Sequence, residues 1–312
     1  MLRSKIDPTK IDEVIVGNVA QPGDAANIAR VIMLKAGLPE KIPAFTVHRN
    51  CASGMEAITT ATSKILNDEA DIILAGGVES MSNIPLMFNK KMTNFFANLF
   101  KAKTIGQKLS TFLTFRPSFL SPIIGLTQGL TDPVTGLIMG CTAENVAKDF
   151  KITRQQQDEF STMSHNRAEA ATQKGIFKEE IIPVFNNDDK KSVMIEEDEG
   201  IRKGQTVSAL AKLKPYFEKV TGTVTVGNSS QITDGAAFVL LMKESKAKEL
   251  GYTHDNGLLG YVKDFAYAGL DPSRMGLGPV FASAKVFDKT GLSLKDMELV
   301  ELNEAFAAQV IG

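Results

Sequence analysis

Cys51 stands in the run Phe45-Thr46-Val47-His48-Arg49-Asn50-Cys51-Ala52-Ser53-Gly54-Met55, where strand-like alternation gives way to helical spacing. Phe45 and Val47 alternate as on a strand, whereas Met55, Ile58, Ile65 and Leu66 recur as on a helix, which puts the cysteine at or just before a helix N-terminus. Free N–H groups and the positive end of a helix dipole at that position would stabilise a thiolate, the form in which cysteine attacks carbon. Ser53 and Gly54 are small enough to let a substrate approach the backbone closely. An isolated cysteine is otherwise a small apolar filler of a core gap. The remaining cysteine, Cys141, and three scattered histidines, His48, His165 and His254, fall into no metal-ligand spacing.

The elements that must position Cys51 read as alternating strands and helices. Asp12 to Val19 is a buried strand and Ala25 to Ala36 a helix, ended by Gly37-Leu38-Pro39. Asp71 to Ala75 is a further strand, closed by Gly76-Gly77-Val78-Glu79-Ser80-Met81-Ser82. This alternation implies an α/β fold with a parallel sheet. From Pro85 to about Gln231 the rhythm changes to loops, amphipathic helices and a charged stretch around Asn186 to Lys203, as expected of an inserted domain. The α/β pattern then resumes, with strands over Gly235 to Met242, Leu258 to Phe265 and Glu298 to Leu302, and helices over Glu244 to Leu250 and Ala282 to Lys289. Lys10 to Asn18 resembles Lys295 to Asn303 in pattern, a hint of duplicated halves.

The 312 residues carry 35 basic and 36 acidic side chains, a formal charge of −1 that argues against a nucleic-acid binder steered by overall charge. Two cysteines in so long a chain are no disulfide framework, and a reducing, cytoplasmic setting follows. No signal-peptide core and no stretch of about 18 apolar residues is present.

Four runs point the same way as Cys51: Asn50-Cys51-Ala52-Ser53-Gly54, Gly76 to Ser82, Gly227-Asn228-Ser229-Ser230-Gln231-Ile232-Thr233-Asp234-Gly235-Ala236, and Asn303-Glu304-Ala305-Phe306-Ala307-Ala308-Gln309. With Met139-Gly140-Cys141-Thr142-Ala143-Glu144-Asn145 and Ala211-Lys212-Leu213-Lys214-Pro215, they resemble the thiolases in order over nearly the whole chain. The resemblance implies a layered αβαβα architecture from two duplicated halves. The first half would comprise residues 1–84 and 232–254, the inserted loop domain 85–231, and the start of the second half 255–312. It also implies an acyltransferase that cleaves 3-ketoacyl-CoA or condenses two acyl-CoA molecules through an acyl-Cys51 thioester. Coenzyme A is then a substrate and no cofactor is held permanently.

Residue by residue, the resemblance makes Cys51 the nucleophile and its backbone N–H one oxyanion donor. It has Asn303 hold a water against the thioester oxygen, a role that competes with a helix N-cap before Glu304. Ser230 and Phe217 fall beside the pantetheine arm and Arg202 near the nucleotide, although Arg202 also reads as a solvated charge in a polar loop. Ala209 stands where relatives often have a serine contacting the nucleotide. Met139, Met275 and Phe306 would line the acyl pocket, or simply fill core. A homodimer or tetramer, and membership of a fatty-acid oxidation complex, are the assemblies implied.

Two family runs, Gly-His-Pro for the activating histidine and Cys-x-Gly-Gly for the acid/base cysteine, are not among these residues. Cys141, in the Met-Gly-x-Thr-Ala-Glu-Asn run, reads as a buried small residue and no substitute. A strand and helix that precede this segment in the family are also missing, which is expected to leave Asp12 to Val19 without a neighbour. A truncated, catalytically impaired thiolase acting as an interaction subunit is therefore the alternative to an enzyme. The related ketoacyl synthases fit less well, given the insertion and the Asn228 to Gly235 run.

Between Ser80 and Thr131 there is no acid, yet Lys90, Lys91, Lys101, Lys103, Lys108 and Arg116 fall there among seven phenylalanines. A basic, aromatic, amphipathic stretch over 85–130 suits an anionic membrane surface. A dimer contact, a tunnel lining and attraction of the polyanionic coenzyme A are the other readings.

Overall fold

A computed structural model describes residues 4–188 and 191–312; the N-terminal 1–3 and positions 189–190 of the charged stretch lie outside the described residues. The chain divides into two compact units, Met1–Gly129 with Ile232–Phe265, and Leu130–Gln231 with Ala266–Gly312. The segment 85–231 expected as one insertion is thus divided, its first part clustering with the first unit, and 255–265 clusters there as well.

In chain order the elements of the first stretch are β1 (Glu13–Gly17), α1 (Ile28–Lys35), β2 (Ala44–Val47), α2 (Ser53–Leu66), β3 (Ile72–Ser80), β4 (Leu86–Met87), α3 (Lys90–Lys101), α4 (Ile105–Phe112), β5 (Ile123–Ile124) and α5 (Gly125–Gly129). The second unit contributes α6 (Met139–Asp149), α7 (Arg154–Gln173), β6 (Val184–Asp188), β7 (Lys191–Ile195) and α8 (Val207–Leu210). Then β8 (Asp234–Met242) and α9 (Glu244–Glu249) return to the first unit, and α10 (Gly278–Thr290) and α11 (Ala307–Ile311) complete the second.

The first unit is built on a sheet of order β2-β1-β3-β8. β1 is parallel to both β2 and β3, pairing Ile15 with Phe45 on one side and Ala75 on the other. The strand expected to lack a neighbour is therefore the one paired along both edges. Its sequence explains the position: a strand buried on both faces reads as a continuous apolar run. Val14 and Val16 face α1, joining Ala29 and Met33, while Ile15 faces α2, joining Ala57, Ala61 and Ile65.

Three further expectations are corrected. The sheet is mixed, because β8 runs antiparallel to β3 from Ile72 opposite Met242 to Ser80 opposite Asp234. The Gly76 to Ser80 run read as a closing loop instead extends β3, its backbone bonds being taken by β8. The strands expected over 258–265 and 298–302 do not form among the described residues. An apolar run becomes a strand only where a ladder partner takes its backbone groups, and Leu259 and Leu299 lie 93% and 77% exposed.

In the second unit α6, α7 and α11 surround a small core of Ala143, Ala147, Ile152, Val224 and Ala308, onto which Phe217 and Phe306 pack. α7 begins with a capping box in which Thr153 and Gln156 satisfy each other's backbone N–H groups.

Candidate active site

Cys51 sits in the turn between β2 and α2, with Ala52 at the N-cap and Ser53 opening the helix. The turn is made by Asn50, which adopts a left-handed φ of 46°, a conformation asparagine tolerates better than most residues. Ala52 N–H donates to the Arg49 carbonyl and Ser53 N–H to the Asn50 carbonyl, both at 3.0 Å. The Ser53 hydroxyl accepts from Arg49 N–H at 2.9 Å and donates to the Asn50 carbonyl at 2.6 Å. Ser53, expected to leave room for a substrate, is instead buried and ties the turn. Arg49 and Glu56 form an ion pair across the first turn of the helix.

These bonds leave Cys51 exposed, and its N–H has no hydrogen-bond partner among the described residues. An exposed sulfur and an unpaired amide are thus presented together at the start of a helix, an arrangement that can serve as an oxyanion site. The turn is seated by Gly17 at the end of β1: a Cβ there would lie 2.2 Å from the carbonyl carbon and oxygen of Ser53. Sequence reading missed Gly17, although a glycine closing an apolar strand is the available signal for a close backbone approach.

The motif runs of the first unit meet one another. Glu79 accepts from Asn18 Nδ2 at 3.2 Å and from the N–H groups of Val19 and Ala20 at 2.9 and 3.1 Å, fixing the loop after β1. Asp234 accepts from Ser82 N–H at 2.9 Å and from the Ser82 hydroxyl, contacts that hold its carboxyl below the usual range.

The other seven candidate residues, Asn303, Arg202, Phe217, Ser230, Met139, Met275 and Phe306, belong to the second unit. Here the Gly227 to Gln231 and Asn303 to Gln309 runs lie side by side. Ser230 N–H donates to the Ala305 carbonyl at 2.8 Å and Ala307 N–H to the Asn228 carbonyl at 3.0 Å. The rings of Phe217 and Phe306 meet edge to face with centroids 6.1 Å apart. Phe217 also lies flat against Gly140, where a Cβ would fall 2.2 Å from its ring, so the glycine after Met139 is what admits the ring. Met275 is partly exposed on a kinked 3-10 segment, Pro272–Leu277, whose Gly276 packs against Gln309. Arg202 is exposed, and its N–H donates to His165 Nδ1 at 3.3 Å.

Asn303 is exposed and does not cap a helix: α11 starts only at Ala307, with Phe306 at its N-cap. That leaves the Asn303 side chain free of the competing capping role. Ser164 donates to the Glu304 carboxylate at 2.5 Å beside it.

Beneath these runs lies a buried polar network that sequence reading did not resolve. Glu144 accepts from Thr223 N–H at 2.9 Å and Val224 N–H at 2.8 Å. Asn228 bridges Thr225 N–H at 2.7 Å and Asp158 at 3.1 Å, and Arg154 pairs with Asp158 at 2.8 Å. Cys141 stands on the same helix as Glu144; burial first, and then the Glu144 carboxylate, push its thiol above the usual cysteine value, which makes it a poor nucleophile. Among the described residues no group of three or more His, Cys, Asp or Glu could hold a metal ion.

An α/β fold that carries an exposed cysteine on a strand-to-helix turn has the geometry of the cysteine-nucleophile class of proteins. More particularly, the chain belongs to the thiolase family: it matches the thiolase N-terminal domain over residues 1–245 and the thiolase C-terminal domain over residues 257–312. It is 40% identical over 308 residues to a probable acetyl-CoA acyltransferase of Staphylococcus aureus (strain N315), covering 98% of this chain and 72% of that protein. It is 39% identical over 311 residues to a 3-ketoacyl-CoA thiolase of Pseudoalteromonas translucida (strain TAC 125), covering 99% and 69%. The crystal structure of the Bacillus anthracis acetyl-CoA acetyltransferase superposes with a TM-score of 0.85 at 36% identity, over 98% of this chain and 71% of that one. Coenzyme A thioesters are substrates of this family, and none is a resident cofactor.

Proposed function

We propose that this chain transfers acyl groups between Cys51 and coenzyme A, in the thiolytic cleavage of a 3-ketoacyl-CoA or the reverse condensation. In cleavage, the Cys51 sulfur adds to the 3-keto carbon, the C2–C3 bond breaks, and the departing two-carbon thioester takes up a proton as acetyl-CoA. The acyl group left on Cys51 then passes to the sulfur of a second coenzyme A, whose thiol proton is released. The unpaired Cys51 N–H would donate to one oxyanion, and a water held by Asn303 to the other. Arg202, Ser230 and Phe217 would receive coenzyme A, and Met139, Met275 and Phe306 the acyl chain.

The observation that carries this reading is the Asn50-Cys51-Ala52 turn, whose bonds leave both the sulfur and its own N–H unengaged. An intact nucleophile turn favours the enzyme over a non-catalytic outline. The Gly-His-Pro and Cys-x-Gly-Gly runs that would move protons are not among the 312 residues, so acyl loading, rather than steady turnover, is the informative step. Incubated with acetyl-CoA, the chain should gain one acetyl group on Cys51 by peptide mass spectrometry. Cys51→Ala should gain none and Cys141→Ala should load normally. Acetyl on Cys141, or no loading at all, would refute the proposal.

A further inference from the structure

The loop over residues 200–204 carries Arg202, yet none of its residues makes a backbone–backbone hydrogen bond among the described residues. Its path is set from outside, by three side chains. Gln231 Nε2 donates to the Gly200 carbonyl at 2.6 Å, His165 Nδ1 accepts from Arg202 N–H at 3.3 Å, and Glu169 Oε2 accepts from Gly204 N–H at 2.7 Å. His165 and Glu169 stand one helical turn apart on α7, so they share a face and meet the two loop amides together. Glu169 is itself held, since Gln173 Nε2 donates to its other oxygen at 3.1 Å. Gly204 takes a left-handed φ of 66°, which glycine adopts without steric cost. Burial and then the Arg202 charge lower the His165 pKa, against the Glu304 carboxylate. A neutral ring keeps the Nδ1 lone pair that the Arg202 amide needs.

What the pinned loop presents is an unused guanidinium. Arg202 is exposed, and its side chain makes no ion pair among the described residues. Acids fill the positions from Glu196 to Glu199 just before it, and the one that pairs, Glu197, takes Lys203 instead. An arginine held apart from neighbouring carboxylates is open to a phosphate, which its planar fork can grip with two N–H donors. Fixing the backbone that carries it beforehand lowers the ordering cost of that contact.

We infer that His165 and Glu169 are positioning residues: they hold Arg202 where it receives the phosphate-bearing end of an acyl-CoA, without touching that substrate themselves. The inference rests on the proposed acyl transfer to Cys51, and two acyl donors separate the one from the other. Acetyl-CoA carries the nucleotide phosphates, whereas S-acetylpantetheine carries the same thioester without them. The test follows initial rates of Cys51 acetylation by mass spectrometry against the concentration of each donor. His165→Ala and Glu169→Ala should each raise the half-saturating concentration of acetyl-CoA about three- to tenfold. The limiting rate, and the kinetics with S-acetylpantetheine, should stay at wild-type values. His165→Asn places an amide oxygen where Nδ1 stood and should restore the wild-type response to acetyl-CoA. His165→Gln, whose amide falls at the Nε2 position, should not. Circular dichroism checks that each variant is folded, and if His165→Ala is not, the contrast between Asn and Gln decides. An unchanged half-saturation for acetyl-CoA in the folded variants, or an equal loss with S-acetylpantetheine, would overturn the inference and leave acyl transfer standing. Loading of wild-type Cys51 from neither donor would overturn both.

Discussion

Gly17 and Ser53 meet backbone to backbone: a Cβ on Gly17 would lie 2.2 Å from the Ser53 carbonyl carbon and 2.6 Å from the Gly54 nitrogen. The end of a sheet strand and the first turn of the helix behind Cys51 are therefore in direct contact, with no side chain between them. Backbone atoms cannot rotate out of the way as a side-chain tip can.

Gly17→Ala must displace α2 or bend β1. The expected cost is that of overpacking a core, about 1–3 kcal/mol, read as a lower urea midpoint with an unchanged m-value. Because the shift falls on the turn that holds Cys51, acetyl loading should slow in the same variant. A Gly23→Ala control, where nothing lies within 4 Å of the added Cβ, should leave both measurements unchanged.

His165 is held neutral by burial first and by the nearby Arg202 charge, with the Glu304 carboxylate opposing them. Its folded pKa lies below the unfolded value of about 6.5, so the unfolded chain takes up the proton first as pH falls. Stability is therefore full above about pH 6.5 and declines as pH drops from there through the folded pKa. Thermal melts between pH 7.5 and 5 should show this decline, and His165→Gln should flatten that part of it. His165 titrating at or above about 6.5 in proton NMR of the folded chain, its signal identified by its loss in His165→Gln, would contradict the assignment.

What the sequence made legible follows from how local each signal is. The strand and helix flanking Cys51 are written in a few consecutive residues, and both form where the periodicity places them. The strands over 258–265 and 298–302 have equally apolar sequences but depend on partners that periodicity does not encode. Gly76 and Gly77 look like a loop because glycine usually marks one, yet β8, more than 150 positions away, keeps them in a strand. The run from Gly227 to Ala236 reads as one motif, but the structure divides it: Asn228 and Ser230 serve the second unit, while Asp234 holds Ser82 in the first. The partners of Glu144 and Asn228 were invisible for the same reason, since buried networks join residues far apart in sequence.

Glu144 supplies the last prediction. It is 2% exposed, and its carboxylate takes the N–H groups of both Thr223 and Val224, with the Thr223 hydroxyl at 3.2 Å. Those residues lead directly into Asn228 and Ser230. Glu144→Ala would strand the backbone donors of Thr223 and Val224 beneath the surface, at about 1–3 kcal/mol for each buried group left unsatisfied. Glu144→Gln keeps the shape but points an amide N–H₂ at a donor, so it should recover only part of the loss. Chemical denaturation should therefore rank stability as wild type, then Gln, then Ala. If the network orders the loop that carries Ser230, hydrogen exchange at the amides of Thr223, Val224 and Ser230 should accelerate in the same order. The amides of β1 in the first unit should keep their protection. Equal stability of all three proteins would show that water replaces the carboxylate at no cost.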